Sequence, residues 1–280
     1  MLYLLLAILC SSSVSIAMRL GTERAEHNYG MLTMNYVTCM LLAALHAGFR
    51  ILPIDAGAGL TQTIGIGAFT GLVYLAAFVL MQMNVQKNGV VLSSVFMKLG
   101  LLVPMVVSIF LFGEMPGAVQ WLGFVLAVGA IVMINCKSGG SSGAASTIGL
   151  ILLLLAGGTA DCMSKVFEEI GPAALAPQFL FFTFFFAFAL CKDLVLFKHQ
   201  RIGRNEIIYG CLVGVPNFYS SKFILSALKE LEAVIVYPSF SVATILVVTL
   251  AGVLVFREKL SKLQWLALAI ILAALVLLNI

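Results

Sequence analysis

Two stretches of this chain carry nearly the same text. Phe112-Gly113-Glu114 leads into Gln120-Trp121-Leu122 and an apolar run to Asn135; Phe256-Arg257-Glu258 leads into Gln264-Trp265-Leu266 and an apolar run to Asn279. The offsets 258 − 114, 265 − 121 and 279 − 135 are all 144, so the 280 residues divide into two related halves of about 140. Such a repeat limits the architecture before any local structure is considered, because two copies of one unit must pack together.

Composition says what medium they pack in. Hydrophobic residues make up 62% of the chain and charged residues 10%, against about 45–50% and about 25% in a water-soluble domain. Too little polar surface exists to coat a soluble globule. The chain reads as an all-α integral membrane protein, since backbone groups in lipid must be satisfied within a helix or a closed barrel. The apolar runs are long and do not alternate, which excludes the barrel pattern. In such a chain, two weakly similar halves point to a transporter with its binding site between them. The net charge of +4 is ordinary loop bias with no nucleic-acid footprint. Cys10, Cys39, Cys136, Cys162, Cys191 and Cys211 are dispersed, form no CxxC and read as small buried hydrophobes. The stretch from Met1 to Ala17 lacks a basic leader and reads as the first membrane helix rather than a signal peptide.

About 20 apolar residues cross a bilayer. Ten segments qualify, at roughly 2–20, 30–50, 61–83, 89–112, 118–136, 147–167, 174–197, 206–228, 233–256 and 263–280. The expected fold is ten transmembrane helices as two inverted five-helix repeats, 1–136 and 147–280, joined by a Gly/Ser linker at 137–146. Five spans per half is an odd number, so the second half enters the membrane upside down. Eleven of the sixteen basic residues lie at the odd-numbered connections, with Arg50, Lys165 and Lys229 at the even ones. The positive-inside rule puts the odd connections in the cytoplasm and both termini outside.

The Gly-Glu and Arg-Glu hairpins at Glu114 and Glu258, the Gln-Trp-Leu starts at Trp121 and Trp265, and Pro104 in the fourth segment resemble the drug/metabolite transporter superfamily, in its ten-helix EamA-type branch. The stretches Tyr74 to Asn84 and Phe218 to Leu228 match each other and fit that pattern. The resemblance spans the chain. It implies transport of a small molecule such as an amino acid, a nucleotide-linked sugar or a drug, often as export and in several members with a proton gradient. It also implies cytoplasmic termini, opposite to the charge count.

Glu114 and Glu258 each end one helix just before the next, where a carboxylate can accept backbone hydrogen bonds at a helix N-terminus; they are not assigned to the site. An ionisable residue deep in a span is a functional candidate by default. Arg19, Lys165 and Lys222 lie near segment ends, where they can snorkel. Lys98 lies about 13 Å into the fourth segment at 1.5 Å per residue and shares a face with Ser94 one turn earlier. Asp161 is the one acid deep in a span, with Lys165 four residues on as an alternative ion-pair partner, and Gly157 and Gly158 allow close approach beside it. Polar stripes add Tyr74 and Gln82 with Phe78, Asn217 and Ser221 after Pro216, and Tyr237 and Ser241 beside Pro238, where interrupted helices point to a transporter site. The Phe-rich seventh segment and the nearly apolar fifth and tenth read as facing lipid.

Together these residues define a cavity lined by segments 1, 3, 4, 6, 8 and 9. The substrate-binding candidates are Lys98, Ser94, Tyr74, Gln82, Asp161, Asn217, Ser221, Tyr237 and Ser241. The expected activity is secondary active transport of a small polar metabolite, such as an amino acid or organic anion, by alternating access. A flippase of a lipid-linked or amphipathic substrate is the alternative. The expected partners are a small-molecule substrate, the lipid bilayer and protons as a coupling ion, with the chain a monomer or homodimer in a bacterial cytoplasmic membrane. No metal or cofactor is expected, and no enzyme: His27, His46 and His199 form no HExxH, and Asp55, Asp161 and Asp193 form no catalytic carboxylate pair.

Overall fold

The computed structural model describes residues 1–52, 57–101, 103, 117–136, 141–228, 230 and 233–277. Pro104, Glu114 and the first residues of the expected linker lie outside them, as do the side chains of Lys165 and Tyr237. The described residues are helical with no strands. Their helices are α1 (Leu2–Arg24), α2 (Asn28–His46), α3 (Gly57–Lys98), α4 (Ala118–Cys136), α5 (Ser141–Ile170), α6 (Ala176–Phe197), α7 (Arg204–Leu228), α8 (Ala233–Leu254) and α9 (Lys262–Leu277). Three helical runs, Leu2–Arg24, Gly59–Lys98 and Ala173–Phe197, are long and apolar enough to cross a membrane. The protein is therefore read as a helical membrane protein.

The third and fourth expected segments form one helical run, α3, broken at Gly89 (φ +81°, ψ 167°). That left-handed φ suits glycine alone. A side chain there would also strike the Glu258 carboxylate, about 2.9 Å from where its Cβ would sit. Glu258 accepts from the Val90 N–H at 2.7 Å and the Val91 N–H at 3.2 Å. These are the free donors of a new helix start, and a carboxylate suits them through hydrogen bonding and the helix dipole. Glu258 thus does the capping expected of it, but for a helix of the other half rather than for α9, which follows it. Ser261 serves α9 instead: its Oγ accepts from the Gln264 N–H at 3.3 Å while Gln264 Oε1 accepts from the Ser261 N–H at 2.8 Å, the reciprocal pattern of a capping box. Helix α5 begins at Ser141, inside the stretch expected to be linker.

Helices distant in sequence pack together. α1 packs on α7 and α8, α2 on α6 and α7, α3 on α5 and α6, and α4 on α9. Close approach uses small residues, as membrane helices do. Beyond Lys98 the chain tightens into a 3-10 turn, Leu99–Leu101. There Gly100 crosses Gly158 so tightly that a Cβ on Gly100 would lie 2.6 Å from the Gly158 amide nitrogen. This crossing brings the Lys98 and Asp161 helices against each other.

One end of the bundle carries ties from backbone groups onto side chains of residues 200–206. Glu206, 3% exposed, accepts from the backbone N–H groups of Glu26 (2.9 Å), His27 (3.0 Å) and Gly203 (2.9 Å). Gln200 Oε1 accepts from the Tyr29 N–H at 3.1 Å, and Asn205 Nδ2 donates to the Arg24 carbonyl at 3.1 Å. The odd-numbered connections 1–2 and 7–8 are joined in this way, and 3–4 and 9–10 are joined through Glu258.

Candidate functional site

A cavity of about 130 Å³ lies within the bundle. That is an order of magnitude more room than one water needs. Its polar lining is contributed helix by helix. Ser11 and Ser15 come from the middle of α1, Thr70 and Tyr74 from the first arm of α3, and Ser94 and Lys98 from the second. Asp161 comes from α5, Asn217 and Ser221 from α7, and Ser241 from α8. The lining stretches of α6 (179–184), α7 (217–225) and α8 (240–241) lie at the ends of those helices that meet the even-numbered connections. The cavity reaches toward that end along these three helices, while Met81 and Ser94 line it on the side of the Gly89 break.

The Lys98 ammonium sits 3.8 Å from the centroid of the Phe240 ring. Asp161 is exposed to the cavity it lines. Among the described residues the ion pairs are Arg19–Glu23 and the exposed pair of the Met1 amino group with Glu230, so neither Lys98 nor Asp161 is neutralised by a described partner. The Ser94 and Thr183 hydroxyls are buried on the cavity wall without hydrogen-bond partners. The Tyr74 and Ser221 hydroxyls share a hydrogen bond of 3.3 Å on the cavity wall, and Ser221 also donates to the Asn217 carbonyl at 3.2 Å. Asn217 Nδ2 donates to Asn35 Oδ1 at 3.1 Å. Stacked Tyr74 and Phe78, with Phe184 edge-on to Tyr74, give one flank an aromatic surface.

Seven of the nine candidate residues, Lys98, Ser94, Tyr74, Asp161, Asn217, Ser221 and Ser241, thus meet in one cavity. Gln82 is placed elsewhere: it is buried and donates to Asn28 Oδ1 at 3.3 Å and the Asn28 carbonyl at 3.5 Å. The Tyr237 side chain is outside the described residues. Arg19 is engaged structurally, donating to the Val85 carbonyl at 3.2 Å and pairing with Glu23 at 2.8 Å; neither it nor Lys222 lines the cavity.

The expectation that the Phe-rich seventh segment faces lipid is corrected. Phe179, Leu180, Thr183 and Phe184 of α6 line the cavity and are buried, while Phe185 on another face is 39% exposed. A helix apolar all round gives no periodic signal of which face turns inward. Phe240 was missed for the same reason: an aromatic in an apolar helix carries no mark of the cation it meets.

An all-helical membrane bundle around a central cavity lined by a lysine and an aspartate fits the class of small-molecule membrane transporters. The sequence pattern of the EamA-like transporter family matches residues 1–136 and 144–280. This chain belongs to that family, and so to the drug/metabolite transporter superfamily. It is 26% identical over 278 residues to an uncharacterized protein of Haemophilus influenzae, a match covering 97% of this chain and 95% of the relative. A solved crystal structure shares the fold at a TM-score of 0.61 and 16% identity, covering 99% of this chain and 94% of that one.

Proposed function

We propose that this protein is a secondary active transporter that exports a small polar metabolite, an amino acid or an organic anion, by alternating access. Its two inverted five-helix halves rock about the central cavity, and the 144-residue offset supports that relation. The observation that carries the reading is the pair of opposite charges, Lys98 and Asp161, lining one cavity while neither is neutralised by a described partner. Charges within membrane spans are costly, and a substrate carrying the complementary charges offsets the cost. Lys98 and Ser94 would receive a carboxylate, and Asp161 an ammonium group or a coupling proton. With the odd connections cytoplasmic, as their basic residues suggest, the cavity faces outward and Glu206 and Glu258 close the inner end. A bacterial cytoplasmic membrane suits the assignment, with the chain acting as a monomer or homodimer.

The test is a thermal-shift screen of amino acids and organic anions on the detergent-purified protein, because a ligand that binds the folded state raises its apparent stability. A binding metabolite is expected to raise the melting temperature of the wild type, and Lys98→Ala is expected to weaken its affinity at least tenfold. Unchanged affinity in Lys98→Ala removes the lysine from the site, and a screen with no binder among these classes removes the substrate reading.

A further inference from the structure

We propose that Phe240 is a positioning residue that parks the Lys98 ammonium away from Asp161 and so keeps the lysine charge available to a substrate; this deepens, and rests on, the central-cavity reading above. A lysine head on a flexible four-carbon stem has no fixed place of its own. Lys98 and Asp161 share one cavity, yet no ion pair joins them. In poorly solvated surroundings their attraction is strong, so another group must hold the ammonium.

The group in place is the face of Phe240, 3.8 Å away at its centroid. An aromatic face carries partial negative charge and attracts a cation within about 6 Å. It does so without consuming the positive charge, since a ring accepts no proton and leaves the other side of the ammonium open. The surroundings suit an arriving anion: Ser94, one turn before Lys98, has a buried hydroxyl with no partner, and Ser241 follows Phe240 on the same wall. An anion seated there would meet a cation backed by a ring and flanked by hydroxyls. Without the ring, the lysine head swings to Asp161 and the cavity neutralises itself.

The test needs no ligand and uses the full-length protein in detergent. A water-soluble carbodiimide couples a carboxylate to an amine in direct contact, and peptide mass spectrometry reads the Lys98–Asp161 amide. Little amide is expected from the wild type. Phe240→Leu, which keeps apolar bulk but removes the ring face, is expected to raise the yield about tenfold, and Phe240→Tyr to stay at the wild-type level. Phe240→Met removes the face in a more pliant way and gives the same reading if the leucine variant does not fold. Wild-type yield in both faceless variants overturns the role, and so does a rise in Phe240→Tyr equal to that in Phe240→Leu. Failure here leaves the transport reading standing. A screen without binders sinks that reading, whereas the cross-link still decides what Phe240 does.

Discussion

A lysine and an aspartate that share a membrane cavity without pairing are not equivalent in what they would recognise. On the proposed reading Lys98 would meet the negative end of a substrate and Asp161 the positive end, so single replacements should separate ligand classes. Asp161→Asn is expected to weaken an amino acid at least tenfold while leaving a purely anionic ligand within about twofold. Lys98→Ala is expected to weaken both. Isothermal titration of the two variants with one amino acid and one organic anion reads the difference. Equal losses for both ligands in Asp161→Asn would mean that the aspartate supports the cavity's shape rather than an ammonium. At this scale much of the site was legible. Lys98 and Asp161 stood out because charges are rare in spans, and Tyr74, Asn217 and Ser221 because polar stripes recur at helical spacing. Phe240, Thr183 and the α6 wall were not legible, because apolar and weakly polar residues look alike on a cavity wall and on a lipid face.

At the scale of elements, the break at Gly89 and the carboxylate of Glu258 form one device. Glu258→Ala leaves the Val90 and Val91 N–H groups unmatched and is expected to cost about 1–3 kcal/mol of stability, the usual penalty for removing the acceptor from backbone donors. Gly89→Ala imposes strain at φ +81° and pushes on the same carboxylate. Because the two residues touch, their effects should not add. A double-mutant cycle read by thermal melting in detergent should give a combined loss smaller than the sum of the single losses. A simple sum would show that Glu258 does not hold the start of that helix. The repeat in the sequence singled out Glu258 as a cap, but which helix it caps depends on contacts 167 and 168 residues away in the chain.

The molecule as a whole is asymmetric along its length. One end is drawn shut by second-half side chains on first-half backbone. Ile224 and Leu225 line the cavity on the side of the other end. In whole cells, Ile224→Cys is expected to react with a membrane-impermeant maleimide added outside, and Tyr29→Cys, beside the tied end, to be spared. Tyr29→Cys labelled from outside with Ile224→Cys protected would reverse the orientation, in favour of the cytoplasmic termini that the family resemblance implies. Labelling is best scored on a background lacking the native cysteines, of which Cys10, Cys39, Cys191 and Cys211 are free thiols among the described residues.

Long apolar runs by themselves determined that this chain is helical and lives in a membrane, because lipid offers the backbone no other partner. The 144-residue echo pointed to a duplicated unit, and the deep charges Lys98 and Asp161 pointed to the residues that line the cavity. Only the tertiary structure decided which face of α6 turns inward, which helix Glu258 serves, and that Lys98 rests on Phe240 rather than on Asp161. Hydropathy records how much a segment prefers lipid to water but not the direction in which each side chain points. That direction is settled by packing between helices far apart in the chain.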